Sequence, residues 1–197
     1  MVATISSDLQ PSTRDRILDA AFEAVQVFGL SRITVEDVAH RAKLSRQTVY
    51  RYFPSKDHVV LFLVAREEEK FMEGVRAAFA STDDAEEAFA LATEFVLRYM
   101  HEHPLLDRLL ATDEQTLLPY LTTRGLPLII HARETLVELM APRLLGVDQD
   151  ELRGCLDVVC RSMISYMLTA SERPADSVAR AMAKAAVAPL LRSQTET

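Results

Sequence analysis

The sequence contains no tryptophan, only two cysteines and only five glycines in 197 residues. Two thiols cannot build a disulfide framework. Cys155 and Cys160 lie five apart, on different faces of any helix, and read as two small core side chains. Scarce glycine leaves no P-loop and no Gly-x-Gly-x-x-Gly turn for a phosphate. Gly-x-Ser-x-Gly, His-Glu-x-x-His and Cys-x-x-Cys are missing as well, and the carboxylates are scattered, so no catalytic residue, cofactor or metal is expected. The longest apolar run, Val59 to Ala65, is far short of the roughly 20 residues of a membrane span, so no membrane partner is expected. The opening stretch, MVATISSDLQPSTRD, has no basic segment followed by an apolar one, which predicts no signal peptide and a cytoplasmic, reducing location. Positive charge is also in deficit: 22 Lys and Arg face 29 Asp and Glu, a net charge of −7. As a sum, that balance disfavours a nucleic-acid partner. Binding, however, is done by a patch.

What is present is helical. Hydrophobic residues make up 49% and charged residues 26%, the mix of a soluble globular protein. The length suits one domain, or a small one followed by a medium one. Apolar residues recur at helical spacing and no strand-like alternation is sustained. Residues 1–11 are expected to be a disordered arm. Ser12 can cap a first helix whose inward stripe is Leu18, Ala21, Phe22, Val25 and Phe28, with Gly29 as its stop. Two short helices follow. Thr34 caps the first, with Asp37 three positions on; Ser45 caps the second. Ile33 with Val38, and Leu44 with Val49, have the spacing of apolar clasps across those starts. Only Ala42, Lys43 and Leu44 separate the pair, which forces a sharp turn. Pro54 ends the second, and Ser55 caps a long helix to about Phe79. Beyond a loop and cap at 81–84, helices are expected over about 85–103, 127–141, 150–170 and 175–191. A broken helical region spans 105–124 with Pro119 inside it, and 146–148 is a turn.

The charge is not spread evenly. Residues 1–58 hold 8 basic and 7 acidic side chains, and residues 59–197 hold 14 basic and 22 acidic. Within 31–56 there are 6 basic residues against 2 acidic, a local net charge of +4 on the paired short helices. In the second short helix, Val49 and Phe53 should face the core, leaving Arg46, Gln47, Tyr50 and Arg51 on or beside the outward face. Arginine can bond guanine, and glutamine adenine, in a major groove. Thr34, Thr48, Tyr50 and Lys56, with Ser45 at the cap, offer hydroxyls or a cation at helix starts and flanks, where backbone phosphates dock.

The segment from Ile33 to Lys56, ITVEDVAHRAKLSRQTVYRYFPSK, resembles the DNA-binding signature of the TetR family of transcriptional regulators. The shared pattern is a Thr-initiated helix with Ala in its middle, a turn, Ser, then Thr-hydrophobic-Tyr, an aromatic pair and a following Lys. It covers roughly residues 12–60. The resemblance implies an all-α homodimer, with an N-terminal three-helix helix-turn-helix DNA-binding domain and then a helical ligand-binding and dimerisation domain. The corresponding bounds here are 12–58 and 59–197. It implies Thr34, Thr48, Tyr50 and Lys56 as phosphate contacts and Arg46, Gln47 and Arg51 as base readers of a palindromic double-stranded operator. The expected function is a repressor released by a small hydrophobic effector. A TetR-like activator, or a helical small-molecule binder that no longer holds DNA, are the alternatives. One position departs: the family usually has Gly in the turn where this chain has Lys43. If the backbone there is left-handed, Lys costs on the order of 1 kcal/mol relative to Gly. Lys43 is read as a tolerated surface residue, the alternative being a cation that reaches a phosphate.

In the C-terminal part, the stretch from Leu152 to Leu168 is apolar around most of its circumference, so more than one of its sides must be covered. The next helix is rich in Ala, which permits close helix approach. Together the helices near 150–170 and 175–191 are expected to form a symmetric four-helix dimer interface. Phe95, Tyr99, His103, Tyr120, His131, Met163 and Tyr166 are candidates for an apolar effector pocket with a few polar handles, although each is individually ordinary core.

Overall fold

The computed structural model describes residues 12–112, 114–169 and 171–195, so the arm expected over 1–11 lies outside the described residues. All regular structure among these residues is helical. The chain divides into two compact units, the first ending at Glu67 and the second beginning at Glu68. That division falls later than the expected 58/59, inside one helix, because Val59 and Leu63 at its start are fully buried.

The first unit is built from α1 (Thr13–Phe28), α2 (Val35–Ala42), α3 (Arg46–Tyr52) and the first part of α4 (Lys56–Ala80). The starts are set by the caps. Ser12 Oγ accepts the Asp15 N–H at 3.1 Å. Ser45 Oγ accepts the Thr48 N–H at 3.0 Å. Thr34 and Asp37 form a reciprocal capping box, each side chain satisfying the other's backbone N–H. α1 stops at Gly29, whose φ of 82° is open to glycine and strained for other residues. Ile17, Leu18, Ala21 and Val25 of α1 pack inward with Ile33, Val38, Val49 and Phe53. Phe22 is only half-buried. Phe28, expected on the inward stripe, is exposed: it ends the helix, and the Arg41 guanidinium lies 5.6 Å from its ring centre. Arg16 donates to the Ala42 carbonyl at 2.9 Å, satisfying the C-terminus of α2. Arg66 pairs with Asp19 at 2.7 Å and ties α4 to α1.

The second unit holds the rest of α4 with α5 (Ala85–Glu102), α6 (Pro104–Thr112), α7 (Glu114–Leu121), α8 (Leu126–Met140), a 3-10 turn (Ala141–Arg143), α9 (Gln149–Leu168) and α10 (Ala175–Thr195). The expected broken region thus becomes α6 and α7, with Pro119 inside α7. α10 continues past the expected end at 191. Asp84 caps α5 and Asp148 caps α9 through their carboxylates. The core is built on Phe79, Phe89, Met140, Leu144, Leu152 and Leu156. α10 packs chiefly along α5, and α8 along α9. The Arg143 guanidinium donates to the carbonyls of Phe79 and Leu139, satisfying orphan acceptors near the ends of α4 and α8. Among the described residues, no helix is long and apolar enough to cross a membrane.

Candidate nucleic-acid interface

α2 and α3 present the chemistry. Val49 and Phe53 are buried, which turns Arg46, Gln47, Tyr50 and Arg51 outward, and all four are exposed. The three expected base readers therefore sit on one solvent face of α3. Arg51 carries its guanidinium over the Tyr52 ring at 5.5 Å.

Of the expected phosphate contacts, Thr34, Tyr50 and Lys56 gather on the flank, whereas Ser45 and Thr48 stand at the start of α3. Ser31, Arg32, Thr34, Glu36, Tyr50 and Lys56 line one open concavity of about 620 Å³. Lys56 Nζ donates to the Ser31 carbonyl at 2.8 Å, which fixes the stem but leaves the charge unneutralised and two N–H groups to give. Thr34 is more committed: its hydroxyl proton goes to Asp37 Oδ2 at 2.6 Å while its oxygen accepts the Asp37 N–H. A phosphate is acceptor-only, so Thr34 can donate to one only by leaving Asp37. Ser45 and Thr48 share a hydroxyl–hydroxyl bond of 2.8 Å. One proton serves that bond, so the other is available to a phosphate.

The turn conforms to the geometry the family glycine would serve. Lys43 has φ 53° and ψ 45°, a left-handed conformation, and its side chain is exposed. Leu44 N–H reaches back to the Ala39 carbonyl at 2.9 Å, closing the end of α2. His40, Arg41, Asp37, Phe28 and Lys43 line a second open concavity on the same unit.

One feature of this surface is absent from the expectations. Glu36 Oε1 pairs with Arg46 Nη2, joining α2 to α3 across the turn. The two residues are ten apart, too distant for helical spacing to pair them; the only signal was the isolated acidic pair within a basic segment.

The second unit gathers part of the expected pocket. Phe95 and Tyr99 of α5 and His103 at its C-cap are spaced four apart and form a ladder, with ring centres 5.7 and 4.6 Å apart. Phe71 of α4 joins it, 5.0 Å from Tyr99. Gly74 makes room for this packing: a Cβ there would lie 2.1 Å from Phe95 Cζ. Met163 flanks the core and Tyr166 is half-buried. His131 stands apart, exposed on α8 and 3.8 Å from Glu68. The Tyr120 side chain lies outside the described residues.

On α9, Leu152, Leu156, Val159 and Cys160 face the core, whereas Val158 is 64% exposed and Leu168 and Gly154 are also open. On α10, Ala179, Ala183 and Ala186 are buried within the subunit, and Ala181 and Ala185 are exposed. Charged residues bind α8 to α9. Arg133 and Arg153 both pair with Glu134, and the Arg133 hydrogen bond first, with Arg153 assisting, holds that carboxyl below its ordinary range against the opposing effect of desolvation. Burial, assisted by Asp157, pushes the Cys160 thiol up to about 11. Burial likewise raises Cys155, whose Sγ donates to the Ala186 carbonyl. Neither thiol is an activated nucleophile.

Residues 17–62 match the model of the bacterial regulatory proteins of the tetR family. Residues 84–188 match the bacterial tetracyclin repressor C-terminal domain. The HTH-type transcriptional repressor KstR of Rhodococcus jostii is 41% identical over 66 residues, which are 34% of this chain and 31% of that protein. The match thus spans about a third of that repressor's length. The HTH-type transcriptional regulator AlkX of Mycobacterium tuberculosis is 26% identical over 168 residues, covering 84% of this chain and 80% of the regulator. Among solved structures, the TetR family repressor AlkX of a Dietzia species, implicated in biodegradation of n-alkanes, superimposes with a TM-score of 0.62 at 25% identity, covering 93% of this chain and 97% of that one.

Proposed function

The chain belongs to the TetR family of bacterial transcriptional regulators, and from that premise we propose that it is a repressor that binds a palindromic operator as a homodimer and is released by a small hydrophobic effector. The observation that carries the reading is the outward face of α3: Arg46, Gln47 and Arg51 are exposed together while Val49 and Phe53 anchor the helix from below. One α3 enters the major groove of each half-site, and its side chains meet base edges. Tyr50, Lys56, Thr48 and Ser45, with Thr34 once it has left Asp37, position the backbone. A net charge of −7 is compatible with this because the basic excess lies within 31–56 and the acidic excess beyond 58. The acidic body repels DNA, so only the heads approach it.

The partner copy covers the exposed side of α9, where Val158 is bare, together with the exposed side of α10. The effector site is built around the ladder of Phe95, Tyr99 and His103, with Met163 and Tyr166 as further lining. An aromatic wall with one imidazole handle suits an apolar molecule, and the Dietzia relative implicated in n-alkane biodegradation supports the same class. Release requires that the effector bind the DNA-incompetent conformation more tightly than the competent one. α4, whose residues belong to both units, is the covalent link through which that preference reaches the head.

Selection of bound sequences from a pool of random duplexes tests the reading. It predicts enrichment of a two-fold symmetric sequence whose half-sites lie about 10–10.5 base pairs apart, or a multiple of that. Alkyl and aromatic compounds then compete with that duplex for the protein. Failure to enrich any sequence at low salt would leave a helical binder without DNA activity.

A further inference from the structure

We propose that Glu36 positions Arg46 for base reading and stays paired with it on the DNA. The inference rests on the reading above that Arg46 faces a base edge.

Glu36 stands at the second position of α2 and Arg46 at the first position of α3. Glu36 Oε1 accepts from Arg46 Nη2. The side chains are 47% and 61% exposed, so in water the pair adds little to stability. Stability is therefore not what it supplies. Nor is capping, because Thr34 and Asp37 already satisfy the start of α2 between them. Glu36 is instead the carboxylate that lines the concavity with Thr34, Tyr50 and Lys56. A bare negative charge there would repel the phosphate those residues await. Arg46 neutralises it.

Docking of DNA displaces water and strengthens the pair. Separating it at that moment would leave Glu36 unpaired against phosphate, so the pair persists. Arginine has five N–H donors in a rigid fork. The carboxylate takes one of the two hydrogens on Nη2; the other runs parallel to an Nη1–H, and that edge of the fork is enough for the two bonds to guanine N7 and O6. The side chain meets the base already oriented, and little rotamer freedom remains to be lost. Without Glu36, a flexible Arg46 would find whichever phosphate is near, adding affinity that ignores sequence. Glu36 is thus a positioning residue that makes a base reader of a cation otherwise free to seek phosphates.

The test compares wild type, Arg46→Ala, Glu36→Gln and Glu36→Ala. Each is titrated with the duplex that wild type selects from a random pool, with its single-base variants, and with a random-sequence duplex, over a range of salt. Arg46→Ala should flatten the preference at one base pair of each half-site. Both Glu36 variants should flatten the same base pair several-fold and leave the others unchanged. They should also tighten the random duplex and steepen its salt slope by about one per protomer. A purely structural role for Glu36 would move all base pairs alike. If Arg46→Ala flattens a base pair that the Glu36 variants leave intact or sharpen, Glu36 only competes with DNA for Arg46: the proposal fails and the base-reading role stands. If Arg46→Ala flattens nothing, that role fails and takes the proposal with it.

Discussion

Replacing Lys43 by glycine should stabilise the protein, and replacing it by alanine should not. Lys43 is the non-glycine residue at positive φ among the described residues, at φ 53° and ψ 45°. An L-residue held there costs roughly 1–2 kcal/mol, because Cβ crowds the following carbonyl. Glycine escapes that cost but loses about 0.4–1 kcal/mol more conformational freedom from the unfolded chain. The lysine side chain is exposed, so its removal sacrifices no packing. The difference leaves Lys43→Gly more stable by about 0.5–1 kcal/mol. Lys43→Ala keeps the Cβ and the strain, and should stay within about 0.5 kcal/mol of wild type. Urea unfolding measures both, as a shift of midpoint at constant slope. Equal stability for the two variants would refute the reasoning, since the Cβ is what separates them. The same variants bear on the DNA: as a tolerated surface residue Lys43 leaves the salt slope unchanged, whereas a phosphate contact would lower it by about 0.9 per protomer.

Three other perturbations read different parts of the structure. Gly74→Ala drives a methyl to 2.1 Å from a ring held by Phe71 and Tyr99, and should destabilise by about 1–3 kcal/mol despite the better helix propensity of Ala; in a Phe95→Leu background the same substitution should stabilise, as a double-mutant urea series would record. The Cys160 pKa, raised by burial to about 11, gives stability that is fully present below the unfolded thiol's pKa of about 8.5 and is lost as pH rises towards 11; the urea-midpoint advantage of wild type over Cys160→Ala should shrink across that window. Val158→Glu removes an apolar side chain worth about 1.5–3 kcal/mol when covered and should weaken self-association at least roughly tenfold in sedimentation; an unchanged dimer would take the exposed side of α9 out of the interface.

What the sequence reveals follows the range of the forces involved. Caps act over three residues, so Ser12, Thr34, Ser45 and Asp84 announce their helices from local order alone, and the observed bonds are those expected. The outward set on α3 is legible for the same reason, because Val49 and Phe53 fix the helix phase. The Tyr99–His103 stack is a spacing of four. Contacts between elements leave no such trace. Phe28 has the periodicity of the core stripe, yet it is the last residue of its helix and stays exposed, with the Arg41 guanidinium over its ring. Gly74 reads as a weak helix residue until Phe95 is brought against it. The Glu36–Arg46 pair depends on a turn angle, and the placement of His131 beside Glu68 on how α8 meets α4. Thr34 is legible as a cap and is expected as a phosphate contact, but only the geometry reveals that its hydroxyl proton is already given to Asp37.

The central claim is that α3 reads bases while its flank holds the backbone, and a comparison of Gln47→Ala with Lys56→Ala on the selected duplex and its single-base variants tests it most directly. Gln47→Ala should cost roughly 1–3 kcal/mol on that duplex and relax the preference at one position of each half-site. Lys56→Ala should weaken every duplex by the same factor and leave the preference intact. Identical sequence profiles for the two variants would contradict the account.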